Sequence, residues 1–189
     1  PWQLLIMFNY ITALWLATGS QMALHVAASS LVVRAITWLL VPIYLHLHLV
    51  IPAPLRRRPH RYFLPALYAL TGLLAALELR QLLPAAAYQA GLIAAVAGSL
   101  GLLAVRLWDK PPPDIELATR LMLAGIGLAF APGVLTWLAP ALLQAPAPGQ
   151  LATSASTLAL PALPLLYTYA IYKRRLGALV VVKIPQHQM

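Results

Sequence analysis

Long apolar runs interrupted by a few basic clusters constrain this chain more than any other feature. It holds 13 lysines and arginines in 189 residues. Eleven of them fall in segments that the alternation of apolar runs assigns to one side of a membrane. They are Arg56, Arg57, Arg58 and Arg61, then Arg106, Lys110 and Arg120, then Lys173, Arg174, Arg175 and Lys183. Arg34 and Arg80 alone fall near the opposite ends. Basic residues in short loops stay in the cytoplasm. The pattern therefore predicts a multi-pass membrane protein with both termini cytoplasmic.

Composition agrees. With 61% hydrophobic and 9% charged residues, the chain falls far below the charged fraction of about a quarter that a soluble globule carries. The net charge of +9 does not suggest nucleic acid, because the basic residues flank the apolar runs and have no aromatic stacking platform around them. They are topogenic, with attraction to anionic lipid headgroups as a second effect. The chain has no cysteine, which removes disulfides, thiolate metal sites and thiol nucleophiles together. The first apolar run lacks a basic leader and continues into further spans. It is expected to be a membrane helix, or the chain a piece of a longer one.

A bilayer core about 30 Å thick takes about 20 helical residues to cross, and six segments qualify: Trp2 to Leu24, Leu31 to Pro52, Tyr62 to Leu82, Ala86 to Trp108, Leu117 to Leu138 and Ala152 to Tyr172. Lipid-embedded backbone must satisfy its polar groups internally, and these runs are too long for barrel strands. The expected fold is thus an all-α bundle of six transmembrane helices over residues 1–176, followed by a cytoplasmic tail, 177–189. The three prolines of DKPPPDIE mark a loop. Small residues four apart on span four (Ala90, Ala94, Gly98) and span five (Gly125, Ala129, Gly133) are candidates for close helix contact. Pro42, Pro132, Pro161 and Pro164 share no common period, so an inverted-repeat transporter is not indicated.

His46 and His48 are the most conspicuous polar residues in any span. Two positions apart on a helix means about 200° around the axis, so one metal ion cannot take both rings. His25, the other intramembrane histidine, belongs to the opposite side, so neither metal nor haem is expected. One of the pair is expected to hydrogen-bond within the bundle, the other to sit near the inner interface. Glu78, with Arg80, Arg34 and His25, is placed near the outer boundary, where it pairs with an arginine or snorkels into the headgroup zone. Asp109, Asp114 and Glu116 fall in the proline-broken connector. Ser29, Ser30 and Thr153 to Thr157 have no base beside them. No cofactor and no enzymatic activity are expected. Pro161 and Pro164 interrupt the last span and make it a candidate hinge, and Lys173, Arg174 and Arg175 anchor its exit at the headgroups.

Two stretches carry a resemblance. WLLVPIYLHLHLVIP (Trp38 to Pro52) and LALPALPLLYTYAIYKRRLG (Leu158 to Gly177) resemble spans of the multi-span N-terminal sensor modules of bacterial membrane histidine kinases, and RLWDKPPPDIELATRLMLAGIG is similar to their polar loop and following helix. The resemblance covers about three of the six spans. It implies a bacterial cytoplasmic membrane and a non-catalytic sensory or relay role, with the last helix leading to a cytoplasmic effector. The sequence stops at LGALVVVKIPQHQM before any phosphoacceptor helix or ATP-binding segment, so the expectation is either a fragment or a module that works without its own effector. The alternative is an accessory subunit of a respiratory or photosynthetic membrane complex, with other membrane subunits as partners. A small transporter comes third.

Overall fold

The computed structural model describes residues 2–23, 28–54, 62–138 and 156–179, and their side chains apart from 20–23, 137–138 and 174–179. Among the described residues all regular structure is helical: α1 Trp2–Ala23, α2 Ser29–Val50, α3 Phe63–Leu79, α4 Ala87–Trp108, α5 Pro113–Gly133 and α6 Ala162–Leu179. Three helical stretches are long and apolar enough to cross a bilayer, Ser29–Val50, Ala87–Trp108 and Pro113–Thr136, and Phe63–Leu79 is a shorter apolar helix. These helices mark a membrane protein. His25, Arg56, Arg57, Arg58 and Arg61, the loop 139–155 and the tail beyond 179 lie outside the described residues, as do the side chains of Arg174 and Arg175.

α2 is the axis of the structure. It packs against α1, α3 and α4, while α5 and α6 pair with each other and meet the rest through α4 and α1. Accordingly α2 buries 13 of its 22 residues and α3, at the periphery, only three of 17. The core runs from Phe8 through Leu40, Tyr44 and Leu47 to Leu103, Met122, Leu163 and Tyr167.

Glycines set the closest approaches. A Cβ on Gly91 would lie 3.0 Å from the Trp38 ring, and one on Gly98 would lie 2.6 Å from a Leu45 methyl. On α5, a Cβ at Gly125 would lie 3.3 Å from Leu166 and 3.4 Å from Tyr167. The expected small-residue face of α5 is therefore in use at Gly125 and at buried Ala129, whereas a Cβ on Gly133 would meet nothing within 4 Å among the described residues. On α4 the expected stripe is displaced by one residue. Gly91, Ala95 and Ser99 are buried, Ala90 and Ala94 are exposed, and Gly98 touches α2 from the edge.

Two boundaries depart from expectation. α5 begins at Pro113, four residues before Leu117, so Asp114 and Glu116 belong to its first turn rather than to a connector. Proline at the first helical position has no partner for an N–H to lose, and acidic side chains suit the positive end of a helix. Glu116 also pairs with Arg120 one turn on, at 2.5 Å. α6 continues past Tyr172 to Leu179, so Lys173 to Arg175 are helical. Beyond Pro132, α5 widens into a π turn over Val134–Leu138, where the Thr136 hydroxyl donates to the Pro132 carbonyl at 2.7 Å.

Candidate functional site

The C-terminal end of α2 holds a buried polar and aromatic lock between three helices. His48 is fully buried, with Nδ1 2.6 Å from the Tyr44 carbonyl and Nε2 2.5 Å from the Tyr167 hydroxyl of α6. A carbonyl only accepts, so Nδ1 carries the proton. In the neutral ring Nε2 is then the acceptor and Tyr167 the donor. Phe8 of α1 stacks on Tyr167 at 4.9 Å and 13° and tilts against Tyr44 at 4.8 Å. Tyr44 lies 3.0 Å from the Thr12 hydroxyl, whose proton goes to the Phe8 carbonyl at 2.7 Å, so the Tyr44 hydroxyl donates. Nearby, the Asn9 amide donates to Thr168 Oγ1 at 3.0 Å, and Asn9 Oδ1 is buried with no hydrogen-bond partner. Every link in this cluster is neutral.

Arg106, in the last turn of α4, closes the same end of α2. It is buried, and its guanidinium donates to the carbonyls of His48 and Ala53, each at 2.7 Å, and to that of Ile51. The final carbonyls of a helix lack intrahelical donors and carry its negative partial charge. An arginine from a neighbouring helix supplies both the hydrogen bonds and the positive charge that they need.

The N-terminal half of α2 is held differently. The Trp15 indole N–H donates to Thr37 Oγ1 at 2.8 Å, and the Thr37 hydroxyl donates to the Val33 carbonyl at 2.7 Å. Farther out, Glu78 of α3 is only 1% exposed. Its carboxylate accepts from the Trp38 indole at 3.3 Å and lies 3.6 Å from the Arg34 guanidinium, which in turn sits 5.9 Å from the centre of the Tyr88 ring. Glu78 is thus enclosed between α2 and α3, and the arginine it pairs with is Arg34. Arg80 stands exposed at the end of α3.

The two histidines of α2 part company as their spacing dictates. His48 points to α6, while half-buried His46 meets α3 through Tyr68, with Nδ1 3.2 Å from the hydroxyl. Among the described residues no three His, Asp or Glu side chains group as metal ligands do. Pro161 lies in a turn that separates a short helical segment, residues 156–159, from α6, while Pro164 occupies the first turn of α6. There its missing N–H costs no ladder bond. Lys173 is exposed and approaches the Tyr169 ring at 5.6 Å.

Sequence reasoning did not single out Tyr167, Phe8, Tyr44 or Arg106. Arg106 was legible only as a topogenic charge, because the carbonyls it meets belong to another helix. Tyr167 sits in a tyrosine-rich stretch, YTYAIY, where composition does not distinguish the inward ring from Tyr169 and Tyr172, which are exposed.

Chemically, these groups can hold helices in register and exchange partners. No family model, no curated protein and no solved structure matches this chain.

Proposed function

We propose that this protein is a non-catalytic signal-relay module of the bacterial cytoplasmic membrane, a bundle of six spans with both termini cytoplasmic, in which α6 is the output element. One observation carries this reading. α6 is packed chiefly on α5 and, among the described residues, is tied to the α1–α2 core by two side-chain hydrogen bonds, Tyr167 to His48 and Asn9 to Thr168, together with the Phe8 stack. Its position therefore depends on few specific contacts, and it continues through Lys173 toward the C-terminal side. A two-state element biased by a small set of contacts is what a relay needs. The resemblance of Leu158 to Gly177 to the last span of kinase sensor modules points the same way. The break at Pro161 gives the helix freedom to pivot.

Because the chain has no cysteine, spin labels can be placed singly. Labels at Trp108 and Tyr172, both exposed, should report one distance in the parent protein and a second, displaced population in Tyr167→Phe. An unchanged, narrow distribution would remove the relay reading. Lost assembly with native distances would favour the accessory-subunit reading. For the topology, cysteines at Arg57 and Gln144 should label from opposite sides of the membrane, and labelling from one side would contradict six spans.

A further inference from the structure

A cleft of about 450 Å³ opens at the N-terminal end of α2, between that helix and the α3–α4 connection. Ser30, Leu31 and Arg34 form one wall, and Gln81, Leu83 and Ala85 form the other. Its volume falls within the range of small-ligand sites, about 300–1,000 Å³. Both walls are turned by non-glycine residues in the left-handed conformation, Ala28 at φ 62° and Gln81 at φ 57°. Such residues are uncommon and concentrate where a structure holds a ligand.

Arg34 is the charged group of this cleft, and its donors are not spent. A guanidinium offers five N–H groups. Its distance of 3.6 Å to Glu78 exceeds the ~2.7–2.9 Å of a charge-assisted hydrogen bond, so the two form a loose ion pair. The Arg34 side chain is 27% exposed, against 1% for Glu78. Glu78 thus offsets the charge from behind, while the guanidinium fork borders the cleft. Arg80, exposed at the end of α3, leaves this end with one net positive charge, Arg34 and Arg80 against Glu78. The donors stand on two walls: Arg34 and the Ser30 hydroxyl on one, the Gln81 amide on the other. A tetrahedral phosphate presents oxygens in several directions and suits such a set better than a planar carboxylate.

We propose that this cleft binds a phosphate-bearing ligand, with Arg34 as the bidentate receptor and Ser30 and Gln81 as neutral donors. The phosphate belongs either to a soluble small molecule or to a lipid headgroup, since one end of a membrane bundle meets both. This inference stands on the cleft alone and goes beyond the relay reading. If that reading also holds, the cleft lies at the opposite end of α2 from the His48–Tyr167 lock and is suited to be its input.

Trp38, which bonds Glu78, is a built-in reporter. The protein in a phosphate-free glycoside detergent is titrated with inorganic phosphate and, separately, with phosphatidylglycerol added to the same micelles. A saturable fluorescence change, absent in Trp38→Phe, is expected in one arm. Response to free phosphate identifies a soluble ligand, and response confined to phosphatidylglycerol micelles identifies a headgroup. Arg34→Lys keeps the charge opposite Glu78 but loses the fork, and should weaken the response about tenfold. Ser30→Ala combined with Gln81→Ala leaves the ion pair intact and should weaken it severalfold, while Glu78→Gln should strengthen it by releasing Arg34. No saturable change in either arm, or one that survives both Arg34→Lys and the double variant, overturns the proposal. Neither outcome bears on the position of α6, which the spin-label distances read.

Discussion

Among the described residues, α2 meets Arg34 near one end and Arg106 at the other, and the two are held by different contacts. Arg34 lies in the second turn of α2, where the helix field gives no help to a cation, and it stands beside the buried carboxylate of Glu78. Arg106 comes from α4 to the other end, where the closing carbonyls of α2 attract a cation, and there it donates to three carbonyls. The difference teaches that the carbonyls at a helix terminus can hold a buried guanidinium by hydrogen bonds and partial charge, whereas the arginine in the second turn stands beside a carboxylate.

The contrast can be broken most forcefully at the Arg34 end. Arg34→Ala strands the Glu78 carboxylate, and losing one member of a buried pair costs about 3 kcal/mol. Denaturation in mixed micelles should show this loss, and the double variant Arg34→Ala with Glu78→Gln should recover most of it. If the double variant is no more stable than the single one, the ion pair is not what holds that end.

At the other end, Arg106→Ala removes donors from three carbonyls and should cost about 2 kcal/mol. Arg106→Lys should recover only part, because one ammonium cannot span the same three oxygens. Full recovery with lysine would mean that charge alone matters there.

The smallest effects sharpen the comparison along the flank of α2. Gly91 faces the rigid ring of Trp38 and Gly98 the mobile end of Leu45. Gly91→Ala should therefore destabilise by about 1 kcal/mol, and Gly98→Ala by less despite its shorter distance, because a leucine methyl rotates away. Gly101→Ala, with nothing within 4 Å, is the neutral reference. A larger loss at Gly98 than at Gly91 would contradict this ordering.

The helices were legible in the sequence because apolar length is a coarse property, and so was the divergence of His46 and His48, which helical geometry imposes. The facing of α4 was not legible. Its residues from Ala90 to Ser99 are so uniformly small or apolar that a rotation of about 100°, one residue, leaves the pattern almost unchanged, and packing against Trp38 and Leu45 makes the choice. The start of α5 was obscured by reading Pro111 to Pro113 as a stop alone, when the third proline is also a helix initiator. The partners of Glu78 and His48 were hidden for a different reason. Each is a contact between residues far apart in the chain, and no local signal selects Arg34 over Arg80, or Tyr167 over its neighbouring tyrosines.

Chain separation also dictates the order in which the polar groups of α2 are relieved during synthesis. Trp38 lies 40 residues ahead of Glu78, so the N-terminal half of α2 gains its carboxylate as soon as α3 emerges. The His48 carbonyl waits 58 residues for Arg106, and the His48 ring waits 119 residues for Tyr167. At ordinary elongation rates the last interval is roughly ten seconds. For that time the imidazole is in the membrane without its final acceptor contact satisfied, open to any hydroxyl or water that reaches it. Relief of the polar groups of α2 thus ends at the His48–Tyr167 bond, so a nascent chain arrested before α6 should expose a histidine that the finished protein conceals.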